Sequence, residues 1–138
     1  MSSARTFVRD IPRWVSGTMA VLYMFLLAAG SLWPVTADSA IAATPTRRMA
    51  NNLLHVPAYG LLFILLALTL AGATRVEHIC ARALASAVGF GLLMELLQFA
   101  LVPGRSASGM DMALNAAGAA GAAGLWMLAG RMAPAPDA

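Results

Sequence analysis

Seven residues carry side chains whose types and spacing can do chemistry: His55, Tyr59, Glu95, Gln98, Arg105, Asp111 and Asn115. Six of them form pairs three or four residues apart, His55 with Tyr59, Glu95 with Gln98, and Asp111 with Asn115. On a helix each such pair shares one face. The guanidinium of Arg105 can hold a phosphate or carboxylate, the carboxyls and amides can bind hydroxyl and amide groups, and Glu95 or His55 can move a proton. No phosphate-binding loop, zinc signature or nucleophile elbow accompanies them. With a single cysteine, Cys80, an intramolecular disulfide framework and a multi-cysteine metal site are excluded, and neither a metal nor a cofactor is expected.

The elements that must position these groups follow from composition. The 138 residues are 60% hydrophobic and 11% charged, with a mean hydropathy of +0.76. Ordinary soluble domains run to about 45–50% apolar and about 25% charged, so a water-soluble fold is excluded. Disorder fails for the opposite reason, since disordered chains are poor in apolar residues. The net charge of +3 invites a nucleic-acid reading. However, the basic residues are all arginines scattered singly or in twos between apolar blocks, and no basic stripe forms.

A helix crossing a hydrocarbon layer about 30 Å thick needs roughly 20 apolar residues. Four stretches qualify, over about residues 14–33, 53–73, 83–102 and 112–130, and the expected fold is an all-α membrane protein of four transmembrane helices. Trp14 and Trp33 flank the first at interfacial depth, and Pro34 ends it. Pro103-Gly104 stops the third. The fourth is rich in glycine and alanine and suited to close helix packing. Pro57 is expected in the first turn or so of the second helix, and Cys80 in the connection before the third. An alternative reading makes the first span a signal peptide cleaved near residues 37–40, but its apolar run exceeds the roughly 7–15 residues of a signal core.

Arginine placement sets the expected orientation, because cytoplasmic segments carry the excess of basic residues. With the N-terminus inside, Arg5, Arg9, Arg13, Arg75, Arg82 and Arg131 are cytoplasmic, and Arg47, Arg48 and Arg105 are outside. Both termini are therefore expected in the cytoplasm. Residues 1–13 form a basic N-terminus, residues 14–130 the membrane domain, and residues 131–138 a disordered tail.

In this arrangement all seven polar residues fall in the outer leaflet or its interface. Glu95 lies seven residues before the outer end of its helix, about 10 Å deep at 1.5 Å per residue. Each residue also has a structural reading: Asp111 as a partner of Ser108 in a helix cap, Asn115 as an interhelical hydrogen bond, His55 and Tyr59 as interfacial anchors, Arg105 as a loop charge. Glu95 resists such a reading most, since an ionisable group in a membrane helix is a functional candidate by default.

The ordered set His55-Val56-Pro57-Ala58-Tyr59, Glu95-Leu96-Leu97-Gln98, Pro103-Gly104-Arg105, and Asp111 with Asn115 and Gly118 resembles the VanZ-like family of small bacterial membrane proteins. The resemblance covers roughly residues 51–124, with Asn51-Asn52 standing where many members carry Asp-Lys. It implies a multi-pass protein of the bacterial cytoplasmic membrane and cell envelope, and an association with lowered susceptibility to teicoplanin. It implies no settled biochemical activity. The expected function is binding of an amphiphile by the outward polar cluster: a lipid head group, a lipid-linked wall precursor or a lipoglycopeptide. The rivals are an intramembrane hydrolase or transferase acting on an isoprenoid phosphate or peptidoglycan precursor, and a small proton-linked transporter. Expected partners are membrane lipids and a lipid-linked wall precursor or glycopeptide, with self-association open and no nucleic acid.

Overall fold

A computed structural model describes residues 11–33, 44–71, 75–103 and 106–132. They form four helices: α1 (Arg13–Leu32), α2 (Pro45–Leu70), α3 (Val76–Leu101) and α4 (Gly109–Met132). Each contains a stretch long and apolar enough to cross a membrane. The basic N-terminus before residue 11, the 37–40 stretch, Pro34, Gly104, Arg105 and the tail beyond residue 132 lie outside the described residues.

The helices are longer than their apolar spans. α2 begins eight residues before the expected 53 and α3 seven before the expected 83, because helical backbone continues through polar flanks that hydropathy does not count. At its other end α2 stops at Leu70, short of 73, where Ala71 N–H bonds back to the Leu68 carbonyl at 3.3 Å in a tightened last turn. Three expectations are corrected. Cys80 and Arg82 belong to α3 rather than to a connection, and Cys80 is buried in the core. Pro57 lies in the interior of α2 rather than its first turn, where it withholds the N–H that the Leu53 carbonyl would otherwise accept. Arg131 and Met132, expected in the tail, close α4.

The helices run up, down, up and down. Antiparallel contact of α1 with α2 is marked by Arg13 Nε–H donating to the Ala71 carbonyl at 3.0 Å and, nearer the other end, Tyr23 O–H donating to the Ala58 carbonyl at 3.1 Å. α2 and α4 run parallel, with His55 beside Asn115 and Gly60 beside Gly118 and Ala122. α1 packs on α2 and, less extensively, on α3, while α4 packs on α2 and α3. The bundle interior joins Leu62, Phe63 and Ala67 of α2 to Ala83 and Ala87 of α3 and Ala119 and Ala123 of α4. In lipid, burial of apolar surface does not drive helices together, so association depends on close packing, which small residues permit.

The closest approach is at Gly118. A Cβ there would run into the carbonyl oxygen of Val56 and lie 2.9 Å from that residue's carbonyl carbon and Cα. Across the same contact, a Cβ on Gly60 would meet the Gly118 carbonyl oxygen at 3.3 Å. Glycine at these two positions brings α2 and α4 backbone to backbone. The outward faces carry Trp14, Leu22, Phe25, Leu26, Leu54, Leu96, Phe99, Leu125 and Leu128, all exposed as lipid-facing residues should be.

Candidate functional site

The end of the bundle that carries the α3–α4 connection collects the polar side chains. Glu95 and Asn115 are each 2% exposed, Gln98 and Tyr59 each 3%. An unsatisfied polar group at such burial is costly, so each must find a partner.

Glu95 finds its partner in backbone. Its Oε2 accepts the Ser108 N–H at 2.8 Å, so the residue that begins α4 is held against the side chain of α3. Ser108 is also the N-cap of α4: its Oγ accepts the Asp111 N–H at 3.1 Å, and its carbonyl accepts the Met112 N–H at 3.1 Å. In a capping box the acidic side chain at the third helical position would reach back to the N-cap N–H. Here that N–H goes to Glu95 of the neighbouring helix. Asp111 is displaced from the reciprocal role, and its Oδ1 is buried without a hydrogen-bond partner among the described residues.

One turn into α4, Asn115 Oδ1 accepts the Nδ1–H of His55 at 2.8 Å. That bond fixes the orientation of the imidazole and leaves Nε2 as its second hydrogen-bonding atom. The His55 ring stacks on Tyr59, one turn along α2, with centroids 6.4 Å apart and planes 10° from parallel. Tyr59 in turn meets Phe90 of α3 at 6.5 Å. The room for this set is made by Gly91: a Cβ there would come within 3.0 Å of both Asn115 Nδ2 and Tyr59 Cε1. Since Gly91 lies one turn before Glu95 on α3, the two carry the His55–Asn115–Tyr59 set and the α4 cap on successive turns.

Gln98 is drawn elsewhere. Its Nε2–H donates to the Ser31 carbonyl at 2.9 Å, tying α3 to the end of α1. Of the seven residues singled out by sequence, His55, Tyr59 and Asn115 are brought into direct contact, and Glu95 and Asp111 are joined through Ser108. Gln98 serves the α1 contact, and Arg105 lies outside the described residues. Sequence reasoning did not find Gly91 as the space-maker. Its signal was a glycine one turn before an intramembrane carboxyl. It also took Ser108 only as a cap, without its N–H as donor to Glu95. Among the described residues no group of three His, Cys, Asp or Glu is placed to hold a metal ion.

Four apolar helices closing over buried polar groups at one end define a multi-pass membrane protein. The VanZ/LLP1 family model matches residues 11–130, and the chain belongs to that family. Comparison with curated proteins and with solved structures returned no match.

Proposed function

We propose that this protein sits in the bacterial cytoplasmic membrane with both termini inside, and that the polar end of the bundle faces the cell exterior and binds the head of an amphiphile. The observation that carries this reading is the gathering of buried polar side chains from α2, α3 and α4 at one end of the bundle, whereas the buried Ser16 near the other end is satisfied within its own helix by the Arg13 carbonyl. Lipid tails can lie along the exposed apolar faces while a head group meets the half-buried His55 and Asp111, with Asn115 behind them orienting the imidazole. A lipid head group, a lipid-linked wall precursor and a lipoglycopeptide all have this two-part chemistry. Glu95 contributes by holding the α4 terminus.

Family membership makes teicoplanin the amphiphile to test. Expression in a susceptible Gram-positive host should lower sensitivity to teicoplanin more than to vancomycin, which lacks an acyl tail, since each buried methylene contributes roughly 0.8 kcal/mol. Asn115→Leu and Arg105→Ala should abolish the difference at equal protein levels. An equal shift for both drugs would point instead to altered wall precursors. No shift, with the protein confirmed in the membrane, would refute the lipoglycopeptide form of the reading.

A further inference from the structure

The hydrogen-bond inventory of the polar end is unbalanced. Glu95 Oε2 is filled by Ser108 N–H, Asn115 Oδ1 is filled by His55, and the Nδ1 proton of His55 is thereby spent. Among the described residues the buried side-chain atom left without a partner is an acceptor, Asp111 Oδ1. In an ordinary capping box Asp111 would be satisfied by the Ser108 N–H, three residues back in its own chain. Glu95 has taken that donor, and the Asp111 backbone N–H is held by Ser108 Oγ at 3.1 Å, so the residue is fixed in place while its Oδ1 is left without that partner. Asp111 lies one turn before Asn115 on the same face of α4, and Asn115 in turn orients the His55 imidazole.

We propose that Glu95 is a positioning residue that caps α4 in place of Asp111, and that the released Asp111 carboxylate receives an N–H or O–H donor from the head group of the bound amphiphile. This rests on the amphiphile reading above and gives it a head-group chemistry: an ammonium or a sugar hydroxyl rather than an anion alone. An ammonium gains most, because a charge-assisted bond to carboxylate is about twice as strong as a neutral one.

Phosphatidylethanolamine and phosphatidylcholine with matched acyl chains isolate this chemistry, since they share the phosphate and differ in N–H donors. Detergent-solubilised full-length protein is incubated with equimolar amounts of the two, and the lipid retained is read by native mass spectrometry. The wild type should retain phosphatidylethanolamine about fivefold over phosphatidylcholine, equivalent to ~1 kcal/mol. A diglucosyl diacylglycerol, whose donors are hydroxyls, separates the sugar source from the ammonium source by its own retention against phosphatidylcholine. Asp111→Ala should bring both ratios to one. Asp111→Asn keeps the side-chain volume and the backbone contact with Ser108, and should lower the ammonium preference partway, which preserves the test if Asp111→Ala does not fold. Glu95→Gln, still able to accept the Ser108 N–H, should keep the preference. Glu95→Ala should lose it, as Asp111 turns back to cap its own helix. Equal retention of all three lipids that still depends on Asn115 overturns the proposal and leaves the amphiphile reading standing. Retention no greater for wild type than for Asn115→Leu, with any lipid, overturns both.

Discussion

Adding one methyl group at Gly118 tests how the site is assembled, because the α2–α4 contact sets where Asn115 stands relative to His55. In Gly118→Ala the new Cβ would lie 2.9 Å from the Val56 carbonyl carbon and Cα, and closer still to the carbonyl oxygen. Ordinary contact begins near 3.4 Å, so the helices must part by at least half an ångström or so against the carbons and further against the oxygen. Val56 offers helix backbone there, which cannot swing aside as a side chain can. Overpacking of this kind costs about 1–3 kcal/mol. The 2.8 Å bond between His55 and Asn115, less than a turn away, is strained by the same separation, and its loss adds about 1 kcal/mol. The expected destabilisation is about 2–4 kcal/mol. Gly121→Ala is the control: nothing lies within 4 Å of a Cβ at that position. There the substitution should be neutral or stabilising, by up to ~1 kcal/mol from helix propensity. Reversible unfolding in mixed micelles, titrated with a denaturing detergent, measures both. Equal stability of the two variants would refute the backbone-to-backbone packing of α2 on α4.

The same titration should show Glu95→Leu destabilised by about 1–3 kcal/mol, because the half-buried Ser108 N–H loses a charged acceptor, and Glu95→Gln by clearly less. Gln98→Leu should cost about 1 kcal/mol and loosen α1 alone, read as faster hydrogen exchange at its C-terminal end with α3 and α4 unchanged. For orientation, native Cys80 is a poor reporter because it is buried in the core. In a Cys80→Ala background, Ser106→Cys, which is exposed, should react with a membrane-impermeant maleimide applied to intact cells. Reaction only after permeabilisation would invert the arginine-based topology.

The four helices were legible because each needs only a long apolar stretch, and α1, flanked by Trp14 and Trp33, was placed to within one residue at both ends. The extra turns of α2 and α3 were not, since helical backbone continues where the apolar stretch does not, and so Pro57 and Cys80 were assigned to the wrong surroundings. Within the site, pairs on one helix face were legible from spacing. His55 with Tyr59 is the case in point, as the stacked rings show. Pairs across helices depend on register and rotation, which hydropathy does not encode. Glu95 and Gln98 share a face by spacing, yet one reaches the cap of α4 and the other the end of α1, because two different helices flank that face of α3. The release of Asp111 was least legible of all. Its sequence context, Ser108-Gly109-Met110-Asp111, spells a local cap, and only the approach of Ser108 to Glu95 reassigns the donor.

The central claim, that the polar end binds an amphiphile head group, is tested most directly by photocrosslinking. A phospholipid carrying a photoreactive group near its head is incorporated with the protein into bilayer vesicles, and the modified peptides are mapped by mass spectrometry. Crosslinks should concentrate on the segments bearing His55 and Tyr59 and bearing Asp111 and Asn115, fall several-fold in Asn115→Leu, and be displaced by unlabelled amphiphile. Labelling spread evenly around the apolar belt, unchanged by Asn115→Leu and by competitor, would contradict the account.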